Sequence, residues 1–166
     1  MLQPRIIPCL LIKDNGLVKT KKFKDAKYVG DPINAIRIFN EKKSDELMVL
    51  DIDATTKEND IDLEKVKKFA AECRMPLCYG GGIKSVEQAK SIISLGVEKV
   101  AVSSGVIHDQ RLVEKMALEI GNQSVVVVLD VKKNMFGKYV IYTHNGNKNT
   151  GIELKDMIQQ MQDSGA

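Results

Sequence analysis

Four short segments carry groups suited to anion binding or proton transfer: Asp51 with Asp53, Gly80-Gly81-Gly82, Ser103-Ser104-Gly105, and Asp130. Each follows a short apolar run, and in a parallel α/β fold the loops after strand C-termini build the site. Consecutive glycines let backbone N–H groups approach an anion closely, and a helix beginning near Ser85 would add the positive end of its dipole. Ser103 and Ser104 bring hydroxyls to the next loop, so Gly81, Gly82, Ser103 and Ser104 form a candidate phosphate cup. A tight turn and a helix cap are the plain structural alternative. Asp130 follows the apolar run Val125–Leu129, where an isolated carboxylate is costly to bury. It is a candidate general acid or base, raised in pKa by desolvation, or else a carboxylate tied to the backbone or to Lys19. Asp51 is open to the same two readings, and Asp53 reads as a loop cap. Composition alone identifies no acid–base partner for Asp130. His108, ahead of a helix, and His144, in a turn, are poor candidates.

A second set of charges stands at the opposite strand ends. Arg5, Glu46 and Lys99 each precede an apolar run, so in a parallel sheet they gather at its bottom. Two cations and one anion there make a salt-bridged ring that plugs a floor or guards a passage. Cys9, Cys73 and Cys78 show no zinc spacing with the two histidines, and Cys9 and Cys78 read as small core residues. No metal and no cofactor are expected. An odd cysteine count in a chain read as lacking a signal peptide points to reduced thiols and the cytoplasm.

The elements that must position these groups follow from periodicity. Ile6–Ile12, Leu47–Ile52, Pro76–Tyr79, Lys99–Val102 and Ser124–Leu129 are short, nearly continuous apolar runs, as in strands buried on both faces. Between them lie helical stripes. Pro32 to Lys43 carries Ile33, Ile36 and Phe39 behind a cap at Asp31, and the second stripe is Leu63, Val66, Phe69 and Ala70. Ser85 with Gln88 forms a capping box for a helix that Gly96 ends; Leu112, Val113, Met116 and Ile120 close at Gly121. Thr150 to Asp163 makes the fifth. The order βαβαβαβαβα predicts a parallel sheet covered by helices. Gly137 and Asn145-Gly146 flank Tyr139–Tyr142, which predicts a short hairpin between the fifth strand and fifth helix. The glycine triplet matches neither a dinucleotide fingerprint nor a P-loop.

Composition bounds the function. The 166 residues suit one domain, and are short for a complete (β/α)₈ barrel. No apolar run reaches a membrane span. The net charge of +3 is uneven: Lys19, Lys21, Lys22, Lys24 and Lys27 against Asp25 give residues 19–27 a charge of +4. Without Trp and with few aromatics, this is too narrow a footprint for nucleic acid. A solvated Lys-rich loop is the plain account, and a small phosphorylated ligand the sharper one.

Taken together, RIIPCL, GDPINAIRIFNE, DELMVLDIDAT, YGGGI, VEKVAVSS, QSVVVVLDVK and KNTGIELKD resemble the cyclase subunit of imidazole glycerol phosphate synthase from Arg5 to Ala166. The resemblance implies a TIM (β/α)₈ barrel, with residues 1–166 as a single N-terminal portion of about five βα units. It also implies ammonia delivered by a partner glutaminase and a substrate bearing phosphates. Gly82, Ser103 and Ser104 fall at a phosphate site, although the family usually has Asn-Thr at the last two. Asp130 matches the catalytic acid, Lys19 a ligand-loop lysine, and Arg5, Glu46 and Lys99 three of four gate residues at the barrel floor. One departure matters: the family's other catalytic aspartate is replaced by Leu11, which cannot transfer a proton. PCLLIKDNGLVKT and KFKDAKYVGDPINA look more like a paralogous branch associated with amidation of surface-polysaccharide sugars. The alternative function is a phosphate-binding and assembly module without turnover. Strand edges at Ile6–Leu11 and Val125–Leu129, both apolar, further predict a homo-oligomer.

Overall fold

A computed structural model describes residues 4–54, 60–109, 111–144 and 146–166. The chain runs β1 (Cys9–Lys13), β2 (Gly16–Lys21), β3 (Lys24–Gly30), α1 (Pro32–Glu41), β4 (Leu47–Asp51), α2 (Leu63–Glu72), β5 (Leu77–Gly80) and α3 (Val86–Ser94). It continues through β6 (Lys99–Val102), α4 (Ser104–His108), α5 (Arg111–Ile120), β7 (Val125–Val127), β8 (Asp130–Lys133), β9 (Tyr139–Thr143), β10 (Lys148–Glu153) and α6 (Leu154–Asp163).

The helices start where side chains can satisfy their first amides. Asp31 accepts from the Asn34 amide at 2.9 Å ahead of Pro32, and Asp62 from the Lys65 amide at 3.0 Å. Ser85 and Gln88 close the expected capping box on α3. Gly96 and Gly121, at φ +96° and +88°, end α3 and α5 in the backbone region that glycine enters most easily. The predicted fifth helix is shorter than its sequence pattern: Thr150–Glu153 belong to β10, and the Thr150 hydroxyl donates to the Ile141 carbonyl at 2.8 Å.

The main sheet has seven strands in the order β3-β2-β1-β4-β5-β6-β7. From β1 to β7 every pairing is parallel, with Leu11, Leu50, Gly80, Ala101 and Val126 in one row across it. The core lies between this sheet and its helices: Ile12, Leu47, Val49, Tyr79, Val100 and Val102 pack with Ile36, Val66, Phe69, Ile92 and Met116, all buried. Each such side chain contributes roughly 1.5–3 kcal/mol by leaving water.

Several expectations are corrected. The first strand begins at Cys9, leaving Ile6 and Ile7 exposed, and Cys9 itself is exposed rather than core. The Lys-rich run is no loop. It forms the antiparallel pair β2–β3, which the Asp14-Asn15 turn, with both residues at positive φ, folds back onto β1. Consequently β1 is not an edge: Leu11 pairs with Val18, so oligomerisation through Ile6–Leu11 has no free ladder to use. The predicted hairpin after β7 is larger than expected, a separate three-stranded antiparallel sheet in the order β10-β9-β8. Asn145 of its expected turn lies outside the described residues. Among the described residues no helix is long and apolar enough to cross a membrane.

Candidate functional site

At the C-terminal ends of β4 to β7 lies a cavity of about 380 Å³. It is lined by Asp51, Gly81, Gly82, Ser103, Ser104 and Asp130, all six singled out from sequence, together with Lys84, His108 and His144. Lys19 is not among the lining residues; it is exposed on β2, opposite Lys27.

Close approach of the strand tops sets the shape of the cup. Gly81 has φ +126°, and a Cβ there would stand 2.8 Å from the Asp51 Cβ and closer still to the Asp51 carbonyl oxygen. A Cβ at Gly105 would meet the Ile83 carbonyl oxygen at 2.8 Å, so the loops after β5 and β6 touch. Among the described residues the amides of Gly82, Ile83, Ser104 and Gly105 make no backbone hydrogen bond. The start of α3 contributes less than its dipole promised. The amides of Lys84 and Ser85 donate to the Gln88 side chain at 2.8 and 3.2 Å, so the capping box has already used them. Donors for an anion therefore come from the glycine loop, the serine loop and the Lys84 ammonium.

The two candidate carboxylates divide. Asp51 is a loop organiser: one oxygen accepts from the Asp53 and Ala54 amides at 3.1 and 3.2 Å, the other pairs with the Lys65 ammonium at 3.3 Å. Asp53 accepts from the Asp14 amide at 3.2 Å, the loop-capping role its spacing predicted. Asp130 does not end the fifth strand. It opens β8, after Val128 has made the last parallel bond to the Val102 carbonyl at 2.8 Å. Burial pushes its carboxyl above the usual carboxylate range, opposed by the nearby Lys132 ammonium. Its proposed tie to Lys19 is absent: among the described residues no ion pair of Asp130 is formed.

The floor charges come together as expected. Glu46, 7% exposed in its side chain, accepts from Arg5 through one oxygen and from Lys99 at 2.6 Å through the other. Directly above, Cys78 pairs in register with Lys99, and burial pushes its thiol up to about 12. Sequence reasoning missed both histidines. His108 reaches the cavity from the last turn of α4, and His144 from the turn after β9 at φ +53°. The strand alternation of Tyr139–Thr143 was the available signal for His144, but its placement depends on the β8–β9 register.

The family described as histidine biosynthesis protein matches over residues 5–166. Proteins of Vibrio vulnificus and Leptospira borgpetersenii, each named "Putative imidazole glycerol phosphate synthase subunit", are 52% identical over 167 residues. The alignments cover 100% of this chain and 64% and 66% of theirs. The imidazole glycerol phosphate synthase subunit of Streptococcus gordonii is 40% identical over 166 residues, again 66% of its own length. The chain thus spans 64–66% of the length of these relatives.

Proposed function

The chain belongs to the histidine biosynthesis protein family, and from that premise we propose that it forms the N-terminal part of a (β/α)₈-barrel subunit that uses ammonia on a phosphorylated small molecule. Ammonia comes from a partner glutaminase, the partner that the family resemblance implies. It enters past Arg5, Glu46 and Lys99 and meets the substrate at the opposite strand ends. The glycine and serine loops hold a substrate phosphate, and Asp130 works as a general acid in the cytoplasmic protein. The observation that carries this reading is the convergence of two glycines, two serines and a desolvated aspartate on one cavity, with the ion cluster at the other end of the same strands.

Leu11 shapes the chemistry. It lies in the strand row beneath the cavity and is not among the lining residues. Ring closure that needs a second aspartate there is weak, and ammonia transfer, as in amidation of surface-polysaccharide sugars, is the favoured outcome. The test pairs the protein with a family glutaminase and follows ¹⁵N from labelled glutamine or ammonium into a phosphorylated acceptor by mass spectrometry. Transfer with little ring closure is expected, and Leu11→Asp should raise ring closure. Robust cyclisation by the Leu11 protein, lost in Asp130→Asn, would overturn the assignment of weak ring closure. No transfer from either source would overturn the function.

A further inference from the structure

An acid alone cannot complete ammonia addition, because the attacking nitrogen must shed a proton while the oxygen it displaces gains one. The cavity wall contains five other titratable side chains: Asp51, Lys84, His108, Asp109 and His144. Asp51 is held by Lys65, and Asp109 by Lys115 at 3.1 Å, with Arg111 nearby. Lys84 serves the cup as a donor to the anion. Two imidazoles remain. His108 stands at the end of α4, beside the serine loop, and is exposed.

His144 and Asp130 meet at the same cavity. Asp130 pairs with Tyr142, and His144 lies two residues beyond that partner, in the turn after β9; Val128, Asp130 and His144 all line the cavity. The ring is tethered: Nδ1 lies 3.1 Å from the hydroxyl of Thr143, a buried residue, which leaves Nε2 as the nitrogen to take a proton. Positive φ is uncommon for a residue other than glycine and is often kept at functional positions. The Lys132 ammonium, hydrogen-bonded to the Gly146 carbonyl and 4.8 Å from the Tyr142 ring centre, and Lys133, 5.0 Å from the Tyr139 ring centre, are the cations of this strand pair.

We propose that His144 is the base that complements Asp130 in this cavity, an assignment of roles that rests on the ammonia-using function above. As ammonia attacks an electrophilic carbonyl carbon, one C–N bond forms and the C=O π pair becomes an O–H bond. Neutral His144 takes the proton released by nitrogen, and protonated Asp130 supplies the proton gained by oxygen, so charge is conserved.

Two measurements test it. In the first, the histidine ring resonances are compared by NMR in the wild type and in Asp130→Asn. Loss of the Asp130 side chain moves the His144 ring resonances and leaves those of His108 in place. His108 serves as the internal reference. Equal movement of the two histidines, or none, overturns the pairing whether or not the protein turns over. In the second, the pH profile of ¹⁵N transfer loses its acidic limb in His144→Gln while phosphate binding is kept. An unchanged profile overturns the role and leaves the ammonia-using function standing; absence of transfer in the wild type overturns that function, and the NMR coupling then decides the pairing.

Discussion

Replacing Gly81 by alanine isolates the close approach that shapes the cup. The residue sits at φ +126°, and its Cβ would stand 2.8 Å from the Asp51 Cβ, with the Asp51 carbonyl oxygen nearer still. Strained backbone of this kind costs on the order of 1–3 kcal/mol. The clash adds roughly 1–3 kcal/mol because the obstacle is backbone, held in place by the loop that Asp51 organises. A stiffer unfolded chain returns about 0.4–1 kcal/mol. The net expectation is a loss of about 2–4 kcal/mol. Gly137 is the control: it also has positive φ, +78°, but nothing lies within 4 Å of its would-be Cβ. Gly137→Ala therefore carries the backbone cost without the clash, and should lose about 1 kcal/mol. Urea unfolding followed by circular dichroism reads both, and in heat the gap corresponds to roughly 5–10 °C for a chain of this size. Stabilities of the two variants within about 0.5 kcal/mol of each other would refute the packing of β5 against β4 described above.

Asp130→Asn should make the protein more stable at pH 7. The folded pKa is raised by burial, so the folded state takes up its proton before the unfolded state does as pH falls; the ionised form costs stability above that pKa, and the variant's advantage fades through acid pH. Comparing unfolding of both proteins from pH 7 to pH 4 checks the sign. Glu46→Gln strips the counter-charge from Lys99, whose side chain is only 22% exposed, and should cost about 1–3 kcal/mol, part of it recovered in the double variant with Lys99→Met. An additive double-mutant cycle in urea unfolding would show the pair to be uncoupled. Cys78, buried and with its thiol pushed up to about 12, should resist a thiol reagent at pH 8 until the protein unfolds, whereas Cys9, exposed although burial raises its thiol too, reacts faster than Cys78 in the folded state. Mass mapping of the labelled sites decides this.

The parallel sheet was legible because its strands are apolar on both faces and its helices begin at Asp31, Asp62 and Ser85, side chains that cap by local reach alone. The β2–β3 pair was not, although Asn15-Gly16 stands in the sequence as a turn signal. Five lysines suppress the hydrophobic alternation there, and the second turn uses Lys22 and Phe23 at positive φ, residue types that do not announce it. The first strand was extended too far because Ile6 and Ile7 are apolar yet exposed. Strand-end position sufficed to bring Asp51, Gly81, Gly82, Ser103 and Ser104 to one cavity; Asp130 lines it too, but from the start of β8 rather than the end of the fifth strand. Such a position could not find His144, since that residue arrives through antiparallel pairing of β8 with β9, a long-range register that no local pattern records.

Calorimetric titration of the chain with inorganic phosphate tests the cup most directly. The account predicts a saturable heat that weakens with added salt, since exposed charges are screened within ~10 Å at 0.1 M. It also predicts loss of that heat in Ser103→Ala and in Gly82→Asp, whose residues line the cavity. Absence of heat in the wild type, or equal heat in a folded Gly82→Asp protein, would contradict it.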